Sequence, residues 1–163
     1  MDKALFQFIQ SYSGRNRVMD SLMIFASTKV RYIFAFVFLL MWLFNSERKV
    51  PIKVLQSTVL AFLINSLIKL FTFKPRPFLK GRVDILIPSK KDSTFPSKHT
   101  ILMFAFSTSV MLRNRVLGVI LTTLSCLTGF SRIWVGSHYP SDIVGSATLG
   151  SLISLVVNKV KGR

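Results

Sequence analysis

The chain contains two histidines, His99 and His138, and each lies in a polar break between apolar segments. His138 sits in the run SRIWVGSHYPSD, residues 131–142, together with Arg132 and Asp142. If this run opens a helix, His138 and Asp142 stand four apart on one face, where the carboxylate can hold the imidazole. A carboxylate on one ring nitrogen fixes the tautomer and makes the other nitrogen a better base or nucleophile. His99 closes the other break, KPRPFLKGRVDILIPSKKDSTFPSKHT (74–100), which carries seven Lys or Arg against two Asp.

Two imidazoles, a carboxylate, Lys69, Arg76, Ser97 and Arg132 make a set suited to phosphoryl transfer. Charge builds on the phosphoryl oxygens during transfer, and guanidinium or ammonium groups offset it. One histidine can attack phosphorus while the other protonates the leaving oxygen. With only six acidic residues in the chain, and no second carboxylate at ligand spacing, a carboxylate-held Mg²⁺ is not expected. Duller readings compete for each residue. A single interfacial histidine is often a polar cap, Arg132 and Lys69 can snorkel to headgroups, and Asp142 can simply cap the last helix. The prolines at 75, 77 and 96 can serve as helix stops. Trp134 and Tyr139 suit an interfacial belt, and Cys126 and the many Phe suit packing or lipid contact.

The elements that must position these groups read as membrane helices. Of 163 residues half are apolar, 15 are Phe, and the mean hydropathy is +0.49, all of which favour a membrane class. The net charge is +16. Long Leu/Phe/Val runs argue against a nucleic-acid partner, so anionic lipid or an anionic substrate is the expected counterpart. The single cysteine precludes an internal disulfide. The first 17 residues show no continuous apolar stretch before a small-residue cleavage site, so no cleavable signal peptide is expected.

The expected fold is an all-α, polytopic membrane bundle, one domain over residues 1–163. Residues 3–12 and 17–28 read as amphipathic helices on the membrane surface; alternatively 17–28 joins the next apolar segment, with Lys29 and Arg31 inside one tilted span. Five spans are expected: 30–45, 54–73, a short one over 100–112, 116–130 and 143–158. Lipid leaves only helices to satisfy the backbone. With this parity the two polar segments, 74–99 and 131–142, fall on one face. The turns at 46–53 and 113–115 and the C-terminus fall on the other. That second face holds eight Lys or Arg and one acid, but the first holds at least as many, so charge alone does not orient the protein.

Three fragments carry a resemblance: Lys69 with Arg76-Pro77, Pro96-Ser97-Lys98-His99, and Ser131-Arg132 with His138 and Asp142. In order and spacing they resemble the three-part signature of the type-2 phosphatidic acid phosphatase family, which shares its fold with vanadium haloperoxidases. The resemblance covers the chain from residue 17 onward. It implies His138 as a nucleophile forming a phosphohistidine, Asp142 orienting it, and His99 as general acid. Lys69, Arg76, Ser97 and Arg132 would hold the phosphoryl oxygens, with no metal and no cofactor. Lys98 replaces the usual glycine, and its ammonium is a candidate contact for a second phosphate. KPRPF and TGFSRIWVGSHYPSD are further similar to the bacterial bacitracin-resistance type of undecaprenyl-diphosphatase. That subgroup acts on the lipid carrier of cell-wall synthesis, at the outer face of the cytoplasmic membrane. Two alternatives stay open: a phosphatidate or phosphatidylglycerophosphate phosphatase, and a non-catalytic membrane protein that binds anionic lipid. The basic positions Lys80, Arg82, Lys90 and Lys91 are candidates for a rim that attracts such headgroups.

Overall fold

In a computed structural model, residues 2–44, 48–80, 85–88 and 92–159 are described, except for the side chain of Lys80. The proposed rim residues Lys80, Arg82, Lys90 and Lys91 lie outside the described part, as side chain or entirely. Eight helices occur among the described residues, and no strand: α1 Asp2–Gln10, α2 Arg17–Thr28, α3 Val30–Phe44, α4 Lys49–Phe71, α5 Pro77–Lys80, α6 Lys98–Met111, α7 Arg115–Trp134 and α8 Pro140–Lys159. The expected all-α bundle is the one that forms.

Local chemistry sets the helix ends. Asn16 caps α2 by accepting from the Val18 and Met19 N–H groups. Asn114 does the same for α7 through Leu117 N–H, each satisfying donors that a helix start leaves open. Pro51 lies in the first turn of α4, where a missing N–H costs nothing, so α4 begins earlier than the apolar pattern indicates. Pro140 opens α8 in the same way. α7 runs four residues further than expected, which puts Ser131 and Arg132 in its last turn rather than in a loop.

α4, α7 and α8 have 23, 20 and 20 residues and are long and apolar enough to cross a membrane, at 1.5 Å of rise per residue. α2 and α3 meet that test only jointly, bent by 42° at Lys29. The count by length and composition is therefore three spans, or four with this pair, against five expected. The shortfall is α6, whose 14 residues rise only about 21 Å. It needs little lipid contact because it is the bundle's axis. α4, α7 and α8 pack around it, and eight of its residues are buried. α2 likewise packs along α7, burying Met23, Ala26 and Ser27, and Thr128 of α7 donates to the Ala26 carbonyl at 3.3 Å.

Side-chain bonds establish the parity. At one end Lys53 Nζ donates to the Val157 carbonyl at 3.0 Å, and Asn158 donates to Ser109 Oγ at 2.7 Å. At the other, Lys74 meets Asp142. The described parts of the two polar segments thus share one end of the bundle, because α6, although short, carries the chain from that end back to the turn at 113–115. Outward-facing Phe36, Leu70, Phe71 and Val144 are exposed, as a lipid-facing surface demands.

α6 and α8 approach closely at Gly150, where an added Cβ would collide with the Ile101 carbonyl oxygen. Small residues at such crossings let backbones pack without a hydrophobic driving force. Gly150→Val should therefore destabilise the bundle by about 1–3 kcal/mol, read as a lower thermal midpoint of the detergent-solubilised protein. An unchanged midpoint would show that the two helices are not in this contact.

Candidate active site

At the end of α7 the chain turns on Gly136, whose φ of 80° is a conformation open to glycine and costly for L side chains. The Ser137 and His138 N–H groups both donate to the Arg132 carbonyl, at 3.1 and 3.2 Å. This folds His138 back against the helix end and buries it. The segment 92–97 comes from the other polar break and lies across it.

His138 Nδ1 is 2.8 Å from the Thr94 carbonyl oxygen and 3.1 Å from the Thr94 hydroxyl. A carbonyl only accepts, so Nδ1 carries the proton and the lone pair resides on Nε2. The Thr94 hydroxyl in turn donates to Asp142 Oδ2 at 2.8 Å. This corrects the sequence reading: Asp142 does not hold the imidazole directly but acts through Thr94. The physical reason is that α8 starts at Pro140, so His138 precedes the helix and the four-residue spacing does not place both groups on one face. Asp142 instead curls back to accept from Tyr139 N–H at 3.1 Å and pairs with Lys74 Nζ at 2.6 Å. Burial, reinforced by Arg132 and Arg76, holds His138 well below the usual imidazole range. The ring is therefore neutral at neutral pH.

His138 and His99 line one cavity of 910 Å³. Lys69, Arg76, Lys98 and Arg132 lie on the same wall set. Arg132 is buried; its Nη1 donates to Ser27 Oγ at 2.8 Å, while its Nε has no partner among the described residues. A buried guanidinium facing a cavity is not a snorkelling one. Arg76 is also buried and donates to the Ser137 carbonyl at 3.3 Å. Its Nη2 and Nε approach Asp92 Oδ1 at 2.6 and 3.1 Å, and Lys69 Nζ approaches Asp92 Oδ2 at 2.9 Å. Asp92 is half exposed. Burial raises its pKa, but Lys69 and Arg76 outweigh that and hold its carboxyl below the usual range. A carboxylate thus bridges two cations of the cavity wall.

Ser97 is placed differently from expectation. It is fully buried at the N-cap of α6, accepts from the Thr100 hydroxyl at 3.1 Å, and is not on the cavity wall. Its N–H donates to Ser146 Oγ at 2.7 Å, docking α6 on α8. Tyr139 does not face lipid, while Trp134 is half-buried. Tyr139 is buried edge-to-face on Phe6, and Trp134 Nε1 donates to Asp20 at 2.8 Å.

Sequence reasoning missed Thr94, Lys74, Asp92, Ser27 and Arg31. Thr94, Lys74 and Ser27 left no spacing signal. Asp92 did, as an acid among seven cations. So did Arg31, a charge within an apolar run, where charges are costly and rare; it lines the same cavity.

Residues 50–163 match the sequence profile described as PAP2 superfamily. The chain is 39 % identical over 158 residues to "Undecaprenyl-diphosphatase BcrC" of Bacillus subtilis (strain 168), covering 96 % of this chain and 82 % of that protein. The fold is similar to the crystal structure of Aquifex aeolicus LpxE, with a TM-score of 0.81 and 22 % identity over 97 % of this chain and 94 % of that one. It is also similar to a transmembrane PAP2 type phosphatidylglycerolphosphate phosphatase from Bacillus subtilis, with a TM-score of 0.72 and 16 % identity over 98 % and 87 % of the two chains. Profile, sequence similarity and bundle architecture agree: this membrane protein belongs to the PAP2 superfamily.

Proposed function

We propose that the chain is a metal-independent lipid phosphatase that hydrolyses undecaprenyl diphosphate to undecaprenyl phosphate. The observation that carries the mechanism is the commitment of His138 Nδ1 to the Thr94 carbonyl, which leaves Nε2 as the free nucleophile. Nε2 attacks the terminal phosphorus, and the bond to the bridging oxygen breaks. The charge of the bound diphosphate offsets the surrounding cations and keeps His99 protonated; His99 gives that oxygen its proton, and the lipid monophosphate departs. Water then attacks the phosphohistidine, His99 takes up a water proton, and inorganic phosphate leaves with the His138 lone pair restored. Lys69, Arg76 and Arg132 neutralise the developing charge, displacing Asp92 from the first two. Asp142 positions His138 through Thr94, and Ser97 anchors α6 on α8.

The substrate assignment rests on similarity to a protein named undecaprenyl-diphosphatase and on the character of the cavity. Beyond His99 the cavity turns apolar, lined by Phe34, Phe62, Met103 and Phe106, as a lipid chain requires. Residues 1–163 act as one domain in the bacterial cytoplasmic membrane, with the site at the outer face. Several cations at that face are then committed to substrate and do not report topology. A phosphatidate or phosphatidylglycerophosphate phosphatase would use the same groups, and relative rates on these lipids separate the readings. A non-catalytic anionic-lipid binder has no need of an imidazole held in one tautomer.

Purified protein in detergent should release phosphate from a polyprenyl diphosphate in excess EDTA, and His138→Ala or His99→Ala should lower turnover by at least about 10³-fold. Strict dependence on added Mg²⁺, or full activity of either variant, would refute the mechanism. Thr94→Val removes the hydroxyl between Asp142 and His138 while keeping the carbonyl. It should lower kcat about tenfold, equivalent to one hydrogen bond, with Thr94→Ser restoring it. Equal loss in both variants would mean the hydroxyl is not the link. Asp92→Asn should lower the inhibition constant of inorganic phosphate about threefold to tenfold by weakening a competing anion. A raised constant would show that Asp92 orients the cations instead.

A further inference from the structure

The cavity has a direction. Along α4 its lining runs Thr58, Phe62, Asn65, Ser66, Lys69, spacings that keep one helix face toward the space. Along α6 it runs His99, Leu102, Met103, Phe106, and α3 contributes Arg31 and Phe34. Lys69, with Arg76, Arg132 and His138, marks the polar end. Phe34, Phe62 and Phe106 mark the apolar end. Between them stands Asn65, one helical turn or about 6 Å along α4 from Lys69, and Lys98, which reaches over Phe62, and Arg31 line the same cavity to form with it a polar belt.

The belt is polar without being internally satisfied. Lys69 and Arg76 pair with Asp92, but Arg31, Lys98 and Arg132 have no carboxylate within ion-pair distance among the described residues. Aromatic faces hold both belt cations. The Lys98 ammonium stands 4.6 Å from the Phe62 ring centre. The Arg31 guanidinium stands 5.0 Å from that of Tyr32 and bonds its hydroxyl at 3.2 Å. Such contacts orient a cation without neutralising it. Asn65 is 3 % exposed, and its Oδ1 has no partner among the described residues. A buried carboxamide with an open polar atom on a cavity wall costs stability unless something fills the space.

We infer that Arg31 and Asn65, together with Lys98, form a second phosphate subsite that takes the inner, chain-bearing phosphate of a diphosphate while the terminal phosphate lies between Lys69, Arg76 and Arg132. This rests on the lipid-phosphatase reading above and deepens it. A monoester fills only the terminal position. A diphosphate places its second anion at the boundary between the polar and apolar halves, where these three residues stand, before its chain continues along Phe34, Phe62 and Phe106. The departing lipid phosphate gains charge as the bridging bond breaks, so cations at this position also stabilise the leaving group. The arrangement accounts for Arg31, a charge near the start of α3 that is otherwise expensive in a membrane helix.

Calorimetric titration of detergent-solubilised protein with inorganic pyrophosphate and with inorganic phosphate tests this apart from turnover. The wild type should bind pyrophosphate at least about tenfold more tightly than phosphate, the size of one added charge-assisted contact. Arg31→Gln should reduce that preference at least about fivefold, and Arg31→Lys should retain more of it. Arg31 is exposed, so its replacement does not threaten folding; Asn65→Leu, nearly isosteric, supplies a second variant. No preference in the wild type, or a preference untouched by Arg31→Gln, overturns the subsite. Hydrolysis of a polyprenyl diphosphate by the wild type is measured alongside. Its absence, with the binding preference intact, would refute the enzymatic reading and leave the subsite standing.

Discussion

A single fully buried carboxylate joins the two halves of the site. Asp142 accepts from Lys74 Nζ at 2.6 Å, Thr94 Oγ1 at 2.8 Å and the Tyr139 N–H at 3.1 Å. A buried charge is tolerable only when its lone pairs are filled this completely. Lys74 and Thr94 come from one polar break, Tyr139 from the other. The same carboxylate therefore solves its own desolvation problem and pins the segment 92–97 over His138. Without that pin, neither the tautomer of the imidazole nor the placement of Arg76 against Ser137 would be fixed. The N-terminal helix reinforces it from outside: Asp2 accepts from the Ser141 N–H and hydroxyl at 3.0 and 2.6 Å, and Gln10 donates to the carbonyls of Ile133 and Trp134 at 2.8 and 2.7 Å.

The second constraint is excess positive charge at the edge of an apolar bundle. Five cationic side chains and one carboxylate among the described residues face the cavity. Like charges this close repel, and water-poor surroundings strengthen the repulsion. Asp92 relieves part of it by bridging Lys69 and Arg76. An anion from outside would relieve the rest, in keeping with the phosphatase function proposed for the site. The short axial helix α6 makes this arrangement possible. Because α4, α7 and α8 surround it, α6 need not reach across the bilayer, and its first turn can present Lys98 and His99 to a polar space within the bundle's end.

Much of the fold was legible because lipid imposes strong rules. Apolar runs separated by charged turns can only be helices, and counting the short run 100–112 as a crossing of the bundle brings the two polar segments to one end whichever way the protein faces. The boundaries were less legible. Pro51 and Pro140 look like breaks but sit in first turns, and Ser131 and Arg132 look like loop residues but complete α7. α2 reads as a surface helix from its amphipathic pattern, yet the small residues Ala26 and Ser27 let it pack along α7. Nothing local distinguishes a face that meets lipid headgroups from one that meets another helix.

The sequence by itself determined the helical architecture, the family, and the chemical inventory: two imidazoles, a carboxylate and a set of guanidinium and ammonium groups in recognisable order. Those depend on residue type and short spacing. What only the tertiary structure decided is which atoms meet. Thr94 and His138 are 44 positions apart, Arg132 and Ser27 are 105 apart, and no local periodicity encodes such pairs. The path of the chain inserts Thr94 between Asp142 and His138, withdraws Ser97 from the cavity, and brings Arg31 onto its wall. Hydrogen bonds are short-ranged and directional, so they are settled only when packing has brought distant segments within about 3 Å of one another.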